Sequence, residues 1–215
     1  MTLTLKVDDV LAQFGGGEIF SAYVDLLLSE NERINLVSRE TSREGLLEFV
    51  ADSLTPFYPA LLNISQTIGL NDSLIDIGSG GGFPGIPIAL AYPHLRLVLC
   101  ERTGKKSVFL NSAVTQFQLN VKVLAGDFKT KLHSRSNAIS LKSNFDLATV
   151  RWVKLDIQLC RDIMSVLKPG GALIWYSSPS KDVINAHQRN MEIVKYRFAG
   201  DNRPERTLTL ISRPK

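Results

Sequence analysis

The stretch Leu74–Ala89, LIDIGSGGGFPGIPIA, constrains the fold of this chain more than any other. Its start is a short apolar run suited to a central parallel strand, followed at once by Gly78, Gly80, Gly81 and Gly82. A glycine-rich turn lets the backbone approach a ligand closely, and the N–H groups of a following helix point at that ligand. Pro84 and Pro87 fit a helix start, where a missing N–H costs little. The stretch therefore predicts a strand, a ligand-binding turn and a helix.

Two ligands compete for such a turn, a dinucleotide and S-adenosylmethionine, and the glycine spacing does not choose between them. Gly80, Gly82 and Gly85 satisfy GxGxxG, which many glycine-rich loops match by chance. Asp76 is more informative, because a carboxylate two residues before the first glycine stands at the carboxyl end of the strand, inside the predicted crevice. It would repel a pyrophosphate but attract the ammonium and sulfonium charges of S-adenosylmethionine, whose own carboxylate could rest on the helix N-terminus. Asp76 therefore favours methyl transfer.

A second acid supports the same ligand. The apolar segment Leu95–Cys100 predicts the next strand, and Glu101 follows it directly. An acid at that position accepts hydrogen bonds from two ribose hydroxyls. Either acid alone could be a solvated loop carboxylate, but two at this spacing indicate a cofactor site. Asp127, after the predicted strand Val121–Leu124, either accepts from an adenine amino group or belongs to a plain turn.

From residue 73 onward the predicted strands and helices alternate, which is typical of an α/β fold with a doubly wound, mostly parallel sheet. The further elements predicted are helices at Lys105–Gln118 and Asp156–Leu167, a surface loop or weak helix at Lys129–Lys142, strands at Phe145–Val150 and Ala172–Tyr176, and a turn at Lys168–Gly171. Arg151 follows its strand on the crevice side of the sheet. The alternating segments Ile193–Phe198 and Arg206–Ser212 predict an antiparallel hairpin at the sheet edge.

Residues 1–70 predict an N-terminal helical extension in front of a methyltransferase domain formed by residues 71–215. One buried helix face is indicated by apolar residues at helical spacing, namely Ile19, Phe20, Tyr23, Leu26 and Leu27. The capping box Thr41–Glu44 predicts a helix through about Leu54. A cluster of cations in this region either solvates a helical cap or faces RNA; its members are Arg33, Arg39 and Arg43.

Composition narrows the class of protein. The formal net charge of +4 over 215 residues leans only weakly towards a polyanionic partner. No apolar run is long enough to span a bilayer and no N-terminal signal pattern is present, so we expect a cytoplasmic protein without a membrane partner. Cys100 and Cys160 are isolated, which implies neither a disulfide nor a metal site. We also expect a monomer.

The residues also restrict the acceptor of the methyl group. Methyl transfer from a sulfonium is an in-line displacement that depends on positioning, so a catalytic base is optional. A cysteine nucleophile is not expected, because Cys100 falls in a predicted strand and Cys160 in a predicted helix. The Asn/Asp-Pro-Pro-Tyr clamp of exocyclic amino methylases is absent, and Ser178–Ser180 is a poor substitute. A purine ring nitrogen such as guanine N7 fits, since its lone pair needs no deprotonation.

Five segments resemble the bacterial 16S ribosomal RNA guanine-N7 methyltransferase family, also called glucose-inhibited division protein B. They are Asn35–Ser38, Ala51–Leu54, Ile75–Pro87, Glu101–Leu110 and Glu205–Leu208. The most specific element is GxGxGxPGIP followed by an acid and then by GKK and FL. The resemblance implies a class I methyltransferase, or Rossmann-like, fold. It also implies S-adenosylmethionine as donor, and a guanine in the decoding region of the small ribosomal subunit as acceptor.

The resemblance also implies roles for individual residues. The residues implied to bind the cofactor are Asp76, Gly78, Ser79, Gly80, Phe83, Glu101, Arg102, Asp127 and Arg151. The catalytic residues implied are Arg151 and Arg206, which would face the cofactor and the RNA.

The chain departs from the family pattern at three places near these residues. Phe49 stands where a histidine is usual, Ser177 replaces a lysine, and the segment around Gly126 lacks an arginine. Fewer cations beside the substrate would weaken contacts to RNA phosphates. Three alternatives therefore stay open: a methyltransferase for another RNA position or a small molecule, a ribosome-assembly RNA binder that retains the cofactor pocket, and a nicotinamide dehydrogenase.

Overall fold

The computed structural model describes residues 2–62, 64, 69, 72–134, 141–200 and 204–215. The strands are β1 (Leu3–Leu5), β2 (Ser73–Ile77), β3 (Arg96–Glu101), β4 (Val121–Ala125), β5 (Phe145–Val150), β6 (Leu167–Trp175), β7 (Met191–Phe198) and β8 (Arg206–Ser212). The helices are α1 (Val7–Gln13), α2 (Gly17–Asn31), α3 (Arg43–Leu54), α4 (Gly85–Ala91), α5 (Gly104–Gln116), α6 (Phe128–His133), α7 (Ile157–Val166) and α8 (Lys181–His187).

The strands form one sheet in the order β1-β7-β8-β6-β5-β2-β3-β4. Its pairs are parallel except that β8 runs antiparallel to both of its neighbours, β6 and β7. The mostly parallel sheet with a C-terminal antiparallel hairpin is confirmed. The chain moves outward from β2 through β3 to β4 and then returns to place β5 on the other side of β2. That reversal of strand order makes a crevice at the carboxyl ends of β2 and β5.

Helices cover both faces of the sheet, which explains the continuous apolar character of β2. Leu74 packs in the cluster beneath α2, α3 and α4, whereas Ile75 packs on the opposite face with α7. Both thiols lie in the second cluster, Cys100 in β3 and Cys160 in α7, and burial raises their pKa values to about 12 and about 11. Their interpretation as buried structural thiols is confirmed. Among the residues described, no helix is both long and apolar enough to cross a bilayer.

The N-terminal region is less uniformly helical than predicted, because β1 joins the sheet. Leu3 pairs with Tyr196 and Leu5 with Phe198 in a parallel ladder. The C-terminal hairpin is therefore not at the sheet edge, as β1 covers β7. Three residues are too short a strand to display an alternating pattern, so the sequence carried no signal for this pairing. The boundary at residue 70 stays a prediction, since residues 65–68, 70 and 71 lie outside the described residues.

The predicted helices α2 and α3 are confirmed, with adjustments at single residues. Ile19, which was expected in the buried face of α2, is exposed. Val24, which was not expected there, is buried in that face. Helix α3 ends at Leu54 as expected, but its cap is Ser42, whose hydroxyl accepts from the Gly45 N–H.

One prediction in the second half needs correction. The residues expected to form a turn, Lys168–Gly171, belong to β6, where the register with β5 shifts between Phe145 and Leu147. Gly170, with φ +81°, and Gly171, whose added Cβ would lie 2.7 Å from the Asp146 carbonyl oxygen, make this irregular strand possible. The segment expected as a loop or weak helix begins with α6, and its residues 135–140 lie outside the described part of the chain.

Gly85 tests the packing of α4 on the sheet. A Cβ at this position would lie 2.2 Å from Leu99 Cδ2 and 2.9 Å from Asp76 Oδ2. We expect Gly85→Ala to lower the free energy of unfolding in urea by about 1–3 kcal/mol, because it overpacks a filled interior. Gly104→Ala at the start of α5 is the matched control, since nothing lies within 4 Å of its added Cβ. Equal unfolding free energies for the two variants would contradict this packing.

Candidate active site

Two cavities open at the carboxyl ends of the parallel strands. The first, the glycine-loop cavity, measures about 560 Å³ and is lined mainly by residues 78–81, 101–103, 126–129 and 151–154. The second, the arginine cavity, measures about 610 Å³ and is lined mainly by residues 36–38, 176–178 and 204–207 with Phe49, Asp52, Arg151, Trp152 and Tyr196. Leu36, Arg151 and Trp152 line both, so the two cavities adjoin at these three residues.

The glycine loop is fixed to the neighbouring strand by its backbone. The N–H groups of Gly78 and Ser79 both donate to the Cys100 carbonyl oxygen, at 2.8 and 3.1 Å. Gly78 has φ +78°, and a Cβ there would lie 2.5 Å from Val153 Cγ2. A side chain at residue 78 would therefore strain the backbone and clash with the segment after β5. The result is a rigid wall of backbone along the glycine-loop cavity.

Glu101 lies on this wall, as the sequence predicted. Its buried carboxylate accepts from the Gly80 N–H at 2.9 Å through Oε2 and from the Thr103 N–H at 2.7 Å through Oε1. Each carboxylate oxygen has a second lone pair, so these contacts leave acceptor capacity for a ligand hydroxyl. The structure thus brings the predicted loop residues and Glu101 together in one cavity.

Asp127 and Arg102 occupy the outer part of the same wall. Asp127 caps α6, and its Oδ1 accepts from the Thr130 N–H at 3.0 Å. This hydrogen bond lowers the Asp127 pKa, so the group is ionised at neutral pH. The two readings of Asp127 as a turn residue and as a cavity acid are compatible, because it is a cap that also lines the cavity. Arg102 is exposed at the rim.

Asp76 and Phe83 lie behind the cavity wall. Asp76 is fully buried; its Oδ1 accepts from the Thr149 hydroxyl at 2.8 Å, and its Oδ2 has no hydrogen-bond partner among the described residues. Burial raises its pKa to about 6. Phe83 packs against Tyr23 and Trp152, with ring centroids 5.7 and 6.2 Å apart. Neither residue is among those lining the glycine-loop cavity.

The arginine cavity is built around one shared carboxylate. Asp52 at the end of α3 pairs with Arg151 Nη2 at 2.6 Å and with Arg206 Nη1 at 2.7 Å. The Tyr196 hydroxyl donates to the same carboxylate at 2.5 Å, and Arg206 also pairs with Glu48. Two cations therefore meet two carboxylates; Arg151 and Asp52 are almost fully buried, and Arg206 and Glu48 are partly exposed. The two arginines predicted as catalytic converge here, although Arg151 follows β5 and Arg206 begins β8.

Aromatic rings surround the Arg151 guanidinium. Its Cζ lies 3.9 Å from the ring centroid of Trp152 and 5.1 Å from that of Phe49. Tyr176 closes another side, and its hydroxyl donates to the Ser53 carbonyl oxygen at 2.6 Å. Burial raises the pKa of the Tyr176 hydroxyl well above its ordinary value, so it stays a donor. Arg151 is thus held in one orientation between an ion pair and a cluster of rings.

The sequence reasoning missed Asp52, Tyr196 and Trp152 as site residues. Of these three, only Asp52 could have been recognised from the sequence, because it is an acid among apolar residues on the face of α3 that is buried. The three family departures lie at the cavities: Phe49 and Ser177 line the arginine cavity, and Gly126 lines the glycine-loop cavity.

The cations of the N-terminal region form exposed ion pairs. Arg43 pairs with Asp25 at 2.9 Å, and Arg33 pairs with Glu30 at 3.6 Å. These contacts fit a solvated helical surface, and an RNA-facing role for this patch stays a prediction.

The shared carboxylate can be tested through stability. We expect Asp52→Asn to lower the free energy of unfolding by about 3–5 kcal/mol, because it leaves the buried Arg151 guanidinium without a charge partner and removes one of the two carboxylates that pair with Arg206. Asp25→Asn is the matched control: it removes the carboxylate from the exposed Arg43 pair, which contributes less than about 1 kcal/mol. Urea unfolding of both variants measures the difference. A loss below about 1 kcal/mol in each would contradict the buried network.

Asp76 gives a prediction about pH. The folded pKa of about 6 exceeds the unfolded value near 4, so the folded chain binds this proton more tightly. Its contribution to stability is therefore present below about pH 4 and is lost as pH rises to about 6. We expect Asp76→Asn to raise the unfolding free energy at pH 7 by roughly 1–3 kcal/mol and to change it little at about pH 4. A gain that is the same at both pH values would contradict the burial of an ionised Asp76.

Comparison with known proteins agrees with this geometry. A family model described as rRNA small subunit methyltransferase G matches residues 17–206. The protein named ribosomal RNA small subunit methyltransferase G from Chlorobium limicola is 33% identical over 157 residues, covering 73% of this chain and 65% of the relative. The protein of that name from Lactobacillus johnsonii is 29% identical over 208 residues, covering 91% of this chain and 82% of the relative.

A solved structure supports the fold independently. The O-methyltransferase from Bacillus cereus in complex with SAH superposes with a TM-score of 0.64, at 16% sequence identity, covering 96% of this chain and 97% of that one. This confirms the predicted class I methyltransferase fold. The family match runs from α2 through both cavities to Arg206, and on that evidence this chain belongs to the rRNA small subunit methyltransferase G family.

Proposed function

We propose that this chain transfers a methyl group from S-adenosylmethionine to N7 of a guanine in 16S ribosomal RNA, in the decoding region of the small subunit. The observation that carries the proposal is the meeting of two cavities at Leu36, Arg151 and Trp152 in a chain of this family. A methyl donor in one cavity and an acceptor base in the other would have their reacting atoms close to this seam, as an in-line displacement requires.

The glycine-loop cavity fits S-adenosylmethionine by size and by chemistry. Its volume of about 560 Å³ lies in the range of small-molecule sites. In the proposal, the loop at Gly78, Ser79 and Gly80 faces the amino-acid half of the cofactor. Glu101 accepts from the ribose hydroxyls, as the paired N–H contacts that already orient its carboxylate would allow.

The remaining predicted residues act at the edges of this cavity. Arg102 and Asp127 would contact the adenine end, and Arg151 would lie nearest the transferred methyl group. Asp76 and Phe83 would act from behind the wall, by holding the glycine loop in its binding conformation. The bound donor supplies an electrophilic methyl group: the bond to N7 forms as the carbon–sulfur bond breaks, and the sulfur keeps the electron pair.

The arginine cavity suits a base whose attacking nitrogen already carries a lone pair. Within the described residues, no histidine or lysine lines it, and the tyrosine hydroxyls there have raised pKa values. Its two carboxylates are paired with cations, Asp52 with Arg151 and Arg206 and Glu205 with Lys195. We therefore expect the cavity to offer positioning and not proton removal, which matches guanine N7. Arg206 would donate to base or phosphate oxygens of the RNA.

The proposal extends to partners and location. The partner is 16S rRNA, free or within the small ribosomal subunit, and the enzyme acts as a cytoplasmic monomer.

A second candidate is methyl transfer to another RNA position or to a small molecule. It is favoured by Phe49 and Ser177, which place a ring and a hydroxyl where the family pattern expects cations. The ion pairing of Arg151 and Arg206 with internal carboxylates also reduces the charge that the cavity offers to phosphates.

The experiment that tests the proposal is transfer of a radioactive methyl group from S-adenosylmethionine to 30S subunits and to deproteinised 16S rRNA, both from an undermethylated strain. Mass spectrometry of the nucleosides should place the label in 7-methylguanosine at one site. Label in another nucleoside, or turnover of small acceptors alone, would establish the second candidate. Saturable RNA binding without any transfer would indicate an assembly factor that retains the pocket.

Two substitutions should separate the cavities. Glu101→Ala is expected to weaken S-adenosylmethionine binding by about ten- to hundredfold, because charge-assisted hydrogen bonds are lost. Arg206→Ala is expected to lower RNA methylation at least about tenfold while changing cofactor affinity by less than about threefold. Calorimetry and initial rates measure the two effects, with Arg96→Ala, exposed at the amino end of β3 and absent from the lining of both cavities, as the arginine control. Unchanged cofactor affinity in Glu101→Ala would contradict the assignment.

A further inference from the structure

Trp152 is a large aromatic residue in an unusual position. It follows β5, lines both cavities, and leaves 62% of its surface exposed. The other tryptophan of the chain, Trp175, is buried in β6. Burial of apolar surface therefore does not account for an indole at residue 152.

The backbone at Trp152 is also unusual. Its φ is +56°, in the left-handed region that bulky side chains rarely adopt. Such conformations persist where the surrounding structure enforces them, and they concentrate at ligand sites. Glycine would relax this position, yet the chain keeps its most extended aromatic side chain here.

Neighbouring groups fix the orientation of the Trp152 ring. The Arg151 guanidinium lies against one face, with Cζ 3.9 Å from the ring centroid. Phe49 and Phe83 approach in edge-to-face geometry, with centroids at 5.0 and 6.2 Å. With Arg151 over one face, the 62% exposure of the residue leaves indole surface accessible to a ligand. The structure thus holds a preoriented and largely exposed indole at the seam of the two cavities, with the face opposite Arg151 as its candidate open face.

We infer that Trp152 is the platform on which the acceptor base stacks, which gives this chain a residue for orienting its substrate. The inference rests on the proposed function and deepens it. Base–aromatic stacking is a principal source of affinity for unpaired nucleotides, and a base entering the arginine cavity must leave its own stack. A base lying flat on the open face would have its edge directed along the seam, where the donor cavity begins.

The charge of the product strengthens the case for tryptophan. Methylation at N7 turns a neutral guanine into a cation, and tryptophan is the best aromatic partner for a cation. The positive charge of Arg151 on the covered face is compensated by Asp52 at 2.6 Å. The open face therefore attracts the base more strongly as charge develops on it, which stabilises the transition state more than the complex with neutral guanine and so lowers the barrier to transfer.

The first test compares Trp152→Phe, which keeps an aromatic face, with Trp152→Leu, which keeps apolar volume alone. We expect Trp152→Leu to lower kcat/KM for undermethylated 30S subunits by about ten- to hundredfold, and Trp152→Phe to retain most of it. Because Trp152 also lines the glycine-loop cavity, cofactor affinity and melting temperature are measured in parallel, and both should change by similar amounts in the two variants. Equal losses in the two variants would reduce Trp152 to a packing residue and overturn the inference.

The second test does not depend on catalysis. With S-adenosylhomocysteine saturating the glycine-loop cavity, 7-methylguanosine monophosphate should quench the tryptophan emission of the wild-type protein saturably. Trp152→Phe retains only Trp175 and should show no saturable quenching. Quenching that persists in this variant would overturn the inference. Quenching in the wild type without any methylation of RNA would instead overturn the proposed function and leave the stacking site standing.

Discussion

The carboxylate of Asp52 is the interaction on which the rest of the site depends. It joins Arg151, at the end of β5, to Arg206, at the start of β8, and it belongs to the helical N-terminal part of the chain. An ion pair that is almost closed to water keeps its geometry because breaking it would leave an uncompensated charge. Helix α3 is therefore part of the site, since it contributes Phe49 and Asp52 to the lining of the arginine cavity.

The same N-terminal region also shapes the glycine loop. The Tyr23 hydroxyl donates to the Gly81 carbonyl oxygen at 2.5 Å, and Asn31 Oδ1 accepts from the Leu36 N–H at 2.8 Å. Leu36 in turn lies against Gly81 and lines both cavities. Helix α2 thus supports the glycine-loop cavity and α3 supports the arginine cavity. Both parts of the chain contribute to the two cavities.

Asp76 shows a conflict between stability and function. A fully buried carboxylate with one unpaired oxygen and a raised pKa costs free energy at neutral pH. A residue that destabilises the fold and lies directly beneath the glycine loop is expected where function has priority. The charge argument for S-adenosylmethionine therefore pointed to an informative residue, although its side chain lies behind the wall and not on it.

The sequence was most informative where the signal was local. The strand, glycines and helix around Gly78 are contiguous, and Glu101 follows the next strand at a fixed topological distance, so both could be predicted. Trp152, in contrast, could not be identified as a site residue from the sequence. Its position depends on the contact with Phe49 and on two cavities that form only when the sheet is assembled. Strand β1 was missed for the same reason, because its partner β7 lies nearly 200 residues away along the chain. Local patterns specify the glycine-loop cavity, and long-range packing specifies the arginine cavity.

The central claim is that a donor cavity and an acceptor cavity meet at Leu36, Arg151 and Trp152. A crystal structure with sinefungin, a non-reactive analogue of S-adenosylmethionine, tests it most directly. The account predicts the ribose hydroxyls of the analogue on Glu101, and its amine in place of the transferred methyl group, pointing through the seam into the arginine cavity. An analogue bound in the arginine cavity, or bound with that amine facing away from Trp152, would contradict the account.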